Sequence, residues 1–225
     1  VEVSPDNNFI LVNRIEQPFS YAVPVFRFAY TAEVLDSSGK LQYQVVQQPV
    51  ADNLPIAFDA VPTGRRSIGW RPDQAATLYW AQATDGGDPA NQVEIRDQLF
   101  QLGAPFNKDA EKLLDLRYRF SSLLASSDGS LMVWERWWQD RNEKVWYLPH
   151  NQPAKVMWER SSEDRYSDPG YPLLTTAANG QRLLRVENGA IYLTAIGAST
   201  EGNRPFIDKH QLASGETTRL WRSEA

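Results

Sequence analysis

One unit recurs four times along this chain: an apolar segment runs into a tight polar turn, and a second segment rich in branched and aromatic residues leaves it. The copies are Ser4-Pro5-Asp6-Asn7-Asn8 into Phe9-Ile10-Leu11-Val12, and Trp70-Arg71-Pro72-Asp73 through Gln74-Ala75-Ala76 into Thr77-Leu78-Tyr79-Trp80. The third is Ser126-Ser127-Asp128-Gly129 into Ser130-Leu131-Met132-Val133-Trp134, and the fourth is Ala178-Asn179-Gly180-Gln181 into Arg182-Leu183-Leu184-Arg185-Val186. Pro-Asp, Asp-Gly and Asn-Gly make tight turns because Pro presets φ while Asn and Gly tolerate positive φ. Each copy therefore reads as a β-hairpin. Anchored on Asp6, Asp73, Asp128 and Asn179, successive copies lie 67, 55 and 51 residues apart, a drift that suits one unit with variable loops.

Two further strand candidates follow every hairpin, for example Thr31–Asp36 and Leu41–Val46 joined by Ser37-Ser38-Gly39-Lys40. Four short antiparallel strands at such a period are the pattern of propeller blades, which bury their faces by stacking on one another. The expected fold is all-β, a β-propeller fragment of about four four-stranded blades in a single partial domain, with approximate blades 1–49, 50–117, 118–170 and 171–225. A sandwich with similar hairpins is the alternative; recurrence of the same turn chemistry at the same strand position favours the propeller. After the second turn these candidates are 98–102 and 112–116; the stretch 108–119 has leucines at 113, 114 and 116 but no clear cap, so helical competition is weak and one short helix at most is expected. Only Val1-Glu2-Val3 precedes the first turn, so the chain reads as cut from a longer polypeptide. An open arc exposes strand edges, from which self-association is expected.

Composition narrows the function. With 42% hydrophobic and 12% aromatic residues the chain is of folded type. A formal charge of -5 leaves no broad basic surface for a phosphate backbone, so no nucleic-acid partner is expected. The apolar runs fall far short of the roughly 18 residues that span a bilayer, so no membrane segment is expected. Without Cys there is no disulfide, thiolate metal site or Cys nucleophile. His150 and His210, 60 positions apart, have no second imidazole at ligand spacing and read as loop or surface residues. No metal or cofactor is expected.

The linking segments carry a resemblance. Gln17-Pro18-Phe19-Ser20-Tyr21, Val61-Pro62-Thr63-Gly64-Arg65-Arg66-Ser67 and the segment from Trp70 through Asp85-Gly86-Gly87-Asp88-Pro89 resemble the propeller of glutamyl endopeptidase-like serine peptidases, of the prolyl oligopeptidase class. So do Arg96-Asp97, Ala104-Pro105-Phe106, Glu163-Asp164-Arg165-Tyr166 with Asp168-Pro169-Gly170, and Gly197-Ala198-Ser199 with Arg204-Pro205-Phe206-Ile207-Asp208. The resemblance spans nearly the whole chain. It implies a non-catalytic propeller that covers the active site of a C-terminal α/β-hydrolase domain, admits peptide substrates and helps to hold them, with cleavage after acidic residues. Members of that family occur in bacterial and plastid settings, so the resemblance leaves the compartment undetermined and leans toward an exported or periplasmic bacterial protein. The hydrolase domain is missing, and no Gly-x-Ser-x-Gly elbow occurs; Gly197-Ala198-Ser199-Thr200-Glu201 lacks the second Gly. No catalytic residue is therefore assigned, although the parent would be a hydrolase. A free-standing propeller binding a protein or carbohydrate partner is the alternative.

Under this resemblance, arginines in the linking loops are the candidate substrate-binding residues, because a planar and permanently charged guanidinium suits an acidic peptide side chain. They are Arg65, Arg66, Arg165 and Arg204. The bland reading is that Arg165, beside Glu163, Asp164 and Asp168, and Arg204, near Glu201 and Asp208, brace their loops as ion pairs. Asp85 with Asp88, and Glu163-Asp164 with Asp168, could be read as glycosidase carboxylates or a Ca²⁺ site; a tight loop explains Asp-Gly-Gly-Asp-Pro better. Trp134, Trp137 and Trp138 could stack on a ligand, but on a strand such residues more often pack between blades.

Overall fold

The computed structural model describes residues 1–19 and 21–224. The chain is all-β, and its strands form four consecutive antiparallel meanders of the blade type. The first holds Glu2–Val3, Phe9–Ile15, Tyr30–Asp36 and Leu41–Gln48, and the second Arg66–Trp70, Thr77–Ala83, Asp97–Gly103 and Glu111–Leu116. The third holds Arg119–Ala125, Leu131–Trp137, Asn142–Leu148 and Lys155–Ser161. The fourth holds Tyr171–Pro172, Ala190–Ala195, Phe206–Gln211 and Thr217–Arg222, with Val186–Glu187 paired beside its second strand.

The turn aspartates act as the sequence suggests. Asp128 Oδ1 accepts the Ser130 amide at 2.9 Å and its hydroxyl at 2.6 Å, while Gly129 takes φ +85°. Asp6 Oδ1 accepts the Ser4 hydroxyl at 2.6 Å and the Asn8 amide at 3.1 Å, with Asn7 at φ +62°. A carboxylate that closes its own turn in this way relieves amides that no ladder serves. Asp73 works differently, receiving the Arg71 guanidinium at 3.0 and 2.5 Å.

Period-two alternation then builds the cores. Two compact units divide the chain, Val1–Phe120 and Ser121–Ala225. In the first, Leu11, Ala32, Val34 and Val45 of one meander pack on Trp70, Leu78, Trp80 and Leu102 of the next. Phe106 fills the seam, its ring 5.3 Å from Phe9, 5.7 Å from Tyr43 and 6.2 Å from Trp70. The second unit joins Met132, Trp134, Val145 and Tyr147 to Ile191, Leu193 and Leu212 in the same manner. Burying one such side chain fully contributes about 1.5–3 kcal/mol, so these paired faces supply the main driving force of each unit.

Two expectations need correction. The Asn179-Gly180 turn does not lead into the fourth meander; it closes a separate ribbon of Leu174–Thr176 with Arg182–Leu184. The second strand is Ala190–Ala195, entered through Asn188 and Gly189, both at positive φ, so a second Asn-Gly nine residues on is the operative turn. The strand read at 112–116 is present as Glu111–Leu116, paired with Asp97–Gln101 of its neighbour. The one helical turn among the described residues is the 3-10 turn Val25–Arg27. His210 is not a surface residue: it lies buried on Phe206–Gln211, its ring 5.1 Å from Trp158 and its Nδ1 2.8 Å from the Thr217 hydroxyl.

Candidate functional site

Strand register in the second unit assembles a row of charge. Arg136 stands opposite Glu143, and Glu143 opposite Arg160, on three adjacent strands of the third meander. Side chains at opposed positions share a face. Arg136 Nε lies 2.7 Å from Glu143 Oε2, and Arg160 Nη2 lies 3.7 Å from Glu143 Oε1 and 3.1 Å from Asp168 Oδ1. Trp134, two residues before Arg136, is on the same face and stacks on Tyr171 with ring centroids 5.7 Å apart. Burial raises the Tyr171 phenol above its ordinary pKa, so it remains a neutral donor at physiological pH.

These residues line a groove of about 800 Å³ within the second unit, closed on one side by the loop 162–170. The loop is pinned by its own turns. Asp164 accepts the Tyr166 amide at 3.1 Å and the Ser167 hydroxyl at 2.7 Å, and Asp168 accepts the Gly170 amide at 3.0 Å. Gly170 takes φ +88°, and a Cβ there would sit 2.6 Å from the Thr194 carbonyl oxygen, so the chain passes too close for any other residue. Arg165 is carried at the exposed tip, reaches the groove, and makes no ion pair among the described residues. The groove thus presents one free guanidinium, two more within a paired carboxylate row, and an aromatic wall. Such a surface can bind an anionic or amide-bearing extended ligand.

The other expected arginines lie elsewhere. Arg65 lies over the Trp80 ring at 4.4 Å and donates to the Tyr43 hydroxyl at 2.5 Å and the Val45 carbonyl at 3.0 Å. Arg66 is buried and paired with Asp97. Both belong to the first unit. Arg204 braces its own loop, bonding Glu201 at 2.9 Å and the Ser223 carbonyl at 3.1 Å. Of the four, Arg165 alone is on the groove. Its expected braces are engaged by other arginines, Glu163 by Arg141 and Asp168 by Arg160.

Sequence reading missed Arg136 and Arg160. The one usable signal was their alternation with apolar residues, and only register shows that they meet at Glu143. Asp85 is buried in the Asp-Gly-Gly-Asp-Pro loop, where it accepts the Gly87 amide at 3.0 Å and the guanidinium groups of Arg96 at 3.0 Å and Arg119 at 2.7 Å. Trp134 and Trp137 are buried, and Trp138 is 46% exposed beneath Arg141, whose guanidinium lies 3.7 Å above the ring. The Ser199 hydroxyl donates to the Gly202 carbonyl at 2.7 Å. No group of three or more His, Asp or Glu among the described residues could hold a metal ion, and none contains a helix long and apolar enough to cross a membrane.

No family model matches the chain. Two plant proteins match it over its whole length: a "Probable glutamyl endopeptidase, chloroplastic" of Oryza sativa subsp. japonica, 36% identical over 237 residues, and one of Arabidopsis thaliana with the same description, 32% identical over 235 residues. The matched segment is 25% of the rice protein and 24% of the Arabidopsis one, so the chain spans about a quarter of the length of these relatives. Among solved structures, TolB from Acinetobacter baumannii aligns with 98% of this chain and 50% of its own at 10% identity, with a TM-score of 0.36, too low to bear on function.

Proposed function

Because the chain is homologous from end to end to one segment of the glutamyl endopeptidases, we propose that it is the non-catalytic propeller segment of a serine peptidase of the prolyl oligopeptidase class. In this reading it gates and helps to bind peptide substrates for a C-terminal α/β-hydrolase domain. The observation that carries the reading is the groove of the second unit, where Arg165 stands free beside the Arg136–Glu143–Arg160 row and the Trp134–Tyr171 wall. An extended peptide offers the amides and carboxylates that these groups pair with, and a rigid loop presents the guanidinium without ordering cost. The approximate blades 1–49, 50–117, 118–170 and 171–225 are proposed as its repeating units. Arg65, Arg66 and Arg204 are given no substrate contact in this proposal; each braces its own surroundings, Arg65 and Arg66 within the first unit and Arg204 within its loop.

The test is steady-state cleavage of peptide pairs that differ only in Glu against Gln, by the full-length peptidase and its Arg165→Ala variant. A charged hydrogen bond contributes about 1.5–3 kcal/mol, so kcat/KM for the Glu peptide should fall about 10- to 100-fold, with little change for Gln and in Tm. An equal loss for both peptides, or none, refutes the assignment.

A further inference from the structure

Three acids flank Arg165 in the loop 162–170: Glu163, Asp164 and Asp168. An arginine and an acid two positions apart pair readily in this chain. Arg14 meets Glu16 at 3.5 Å, Arg71 meets Asp73 at 2.5 Å, and Arg185 meets Glu187 at 2.7 Å. Glu163 and Arg165 have that spacing and line the same groove, yet Arg165 makes no ion pair among the described residues.

Each acid is engaged elsewhere. Asp164 closes its own turn on the Tyr166 amide at 3.1 Å and on the Ser167 amide and hydroxyl at 3.2 and 2.7 Å. Asp168 receives Arg160 and the Gly170 amide. Glu163, 69% exposed at its side chain, is held by a residue outside the groove, Arg141, at 2.9 Å. Arg141 is itself fixed: its guanidinium lies 3.7 Å above the Trp138 ring and its Nη1 donates to the Trp138 carbonyl at 2.6 Å. Its own carbonyl accepts the Ser162 amide at 2.6 Å, which ties the foot of the loop to the same turn. A planar guanidinium already stacked on an indole loses little further freedom when it pairs with a carboxylate.

We propose that Arg141 is a positioning residue of the groove: by holding Glu163 it keeps Arg165 available to an acidic ligand. Without that partner Glu163 becomes an unengaged carboxylate two residues from Arg165, where it competes for the guanidinium and repels an incoming acid. Arg141 thus acts through Glu163 and touches no ligand itself. That the ligand is a peptide side chain rests on the peptidase reading above; the hold on Glu163 does not.

The arginines of the 225-residue protein are modified with phenylglyoxal, which attacks unpaired guanidinium groups, and the rate at Arg165 is read by peptide mass spectrometry. In Arg141→Met, which keeps a cover over the Trp138 ring but carries no charge, that rate should fall about 2- to 5-fold, the range an exposed ion pair commands. Adding Glu163→Gln should restore it, a reversal that mere loosening of the loop would not produce. Arg204, paired in another loop, should react alike in all three proteins and so reports an intact fold. In the full-length peptidase the preference for Glu over Gln peptides, as kcat/KM, should fall about 2- to 5-fold in Arg141→Met and return in the double variant. An unchanged Arg165 rate in Arg141→Met, or a slow rate that persists in the double variant, overturns the proposal. A Glu preference that ignores Arg165→Ala overturns the peptidase reading alone, and the modification rates still decide the hold on Glu163.

Discussion

Replacing Arg119 by Met should unfold the first unit more readily than any surface change. Its guanidinium donates to Asp85 at 2.7 Å, Asp97 at 3.0 Å, the Asp59 carbonyl at 2.8 Å and the Arg96 carbonyl at 3.0 Å. Both carboxylates have no solvent-exposed side-chain surface. After substitution Asp85 keeps Arg96 and Asp97 keeps Arg66, so neither charge is stranded, but each loses a partner in a setting with little water to replace it. A hydrogen bond between charged groups contributes about 1.5–3 kcal/mol, so losing those to Asp85 and Asp97 costs about 3–6 kcal/mol, a third or more of the stability of a typical domain. With an m-value of about 2 kcal/mol/M, the urea midpoint should drop by roughly 1.5–3 M. The Trp70 and Trp80 rings in the adjoining core make tryptophan fluorescence a suitable readout. The deficit should also depend on pH. Burial already pushes the Asp97 carboxyl above its ordinary pKa against the pull of Arg66, and loss of Arg119 raises it further. A carboxyl whose folded pKa exceeds its unfolded one costs stability as pH climbs from the unfolded value through the folded one, so the deficit is larger where Asp97 is ionised and shrinks as pH falls. A midpoint shift worth less than about 1 kcal/mol at pH 7, or a deficit that does not vary with pH, refutes this account of the network.

Gly87 takes φ +75°, and a Cβ there would sit 1.8 Å from the Val61 carbonyl oxygen; Gly87→Ala should cost more than about 2 kcal/mol in urea unfolding, whereas Gly39→Ala, at φ +84° with open space around it, should cost only about 1. The His210 imidazole is held below its ordinary pKa, first by burial and then by the charge of Lys155, so the unfolded chain takes up a proton near pH 6.5 before the folded one does. Stability of the second unit should therefore fall as pH drops from about 7.5 to 5, and urea midpoints of His210→Gln should show a flatter profile over that window; parallel profiles would count against this origin.

Much of the architecture was legible from residues 1–225 alone, because turn chemistry is local. Asp6 and Asp128 close their turns through their own side chains, and Phe9–Ile15 and Leu131–Trp137 follow as read. Local chemistry also misled where it occurred twice: both Asn179-Gly180 and Asn188-Gly189 can turn, and pairing of Ala190–Ala195 with Phe206–Gln211 selects the second. The resemblance to glutamyl endopeptidases was read from the linking segments, and two relatives that match this chain from end to end, over about a quarter of their own length, bear it out.

The site was another matter. That arginines would stand near acidic residues was plain from the sequence; which of them would be consumed by neighbours was not, since an ion pair depends on strand register and on which side of a sheet a residue faces. Arg136, Glu143 and Arg160 are 24 residues apart from first to last and meet only because three strands align. Arg66 and Asp97 came under one buried cover for the same reason. Strand, turn and repeat are decided by a residue and its near neighbours along the chain, whereas the availability of a charge is decided by what folding brings to it from far away.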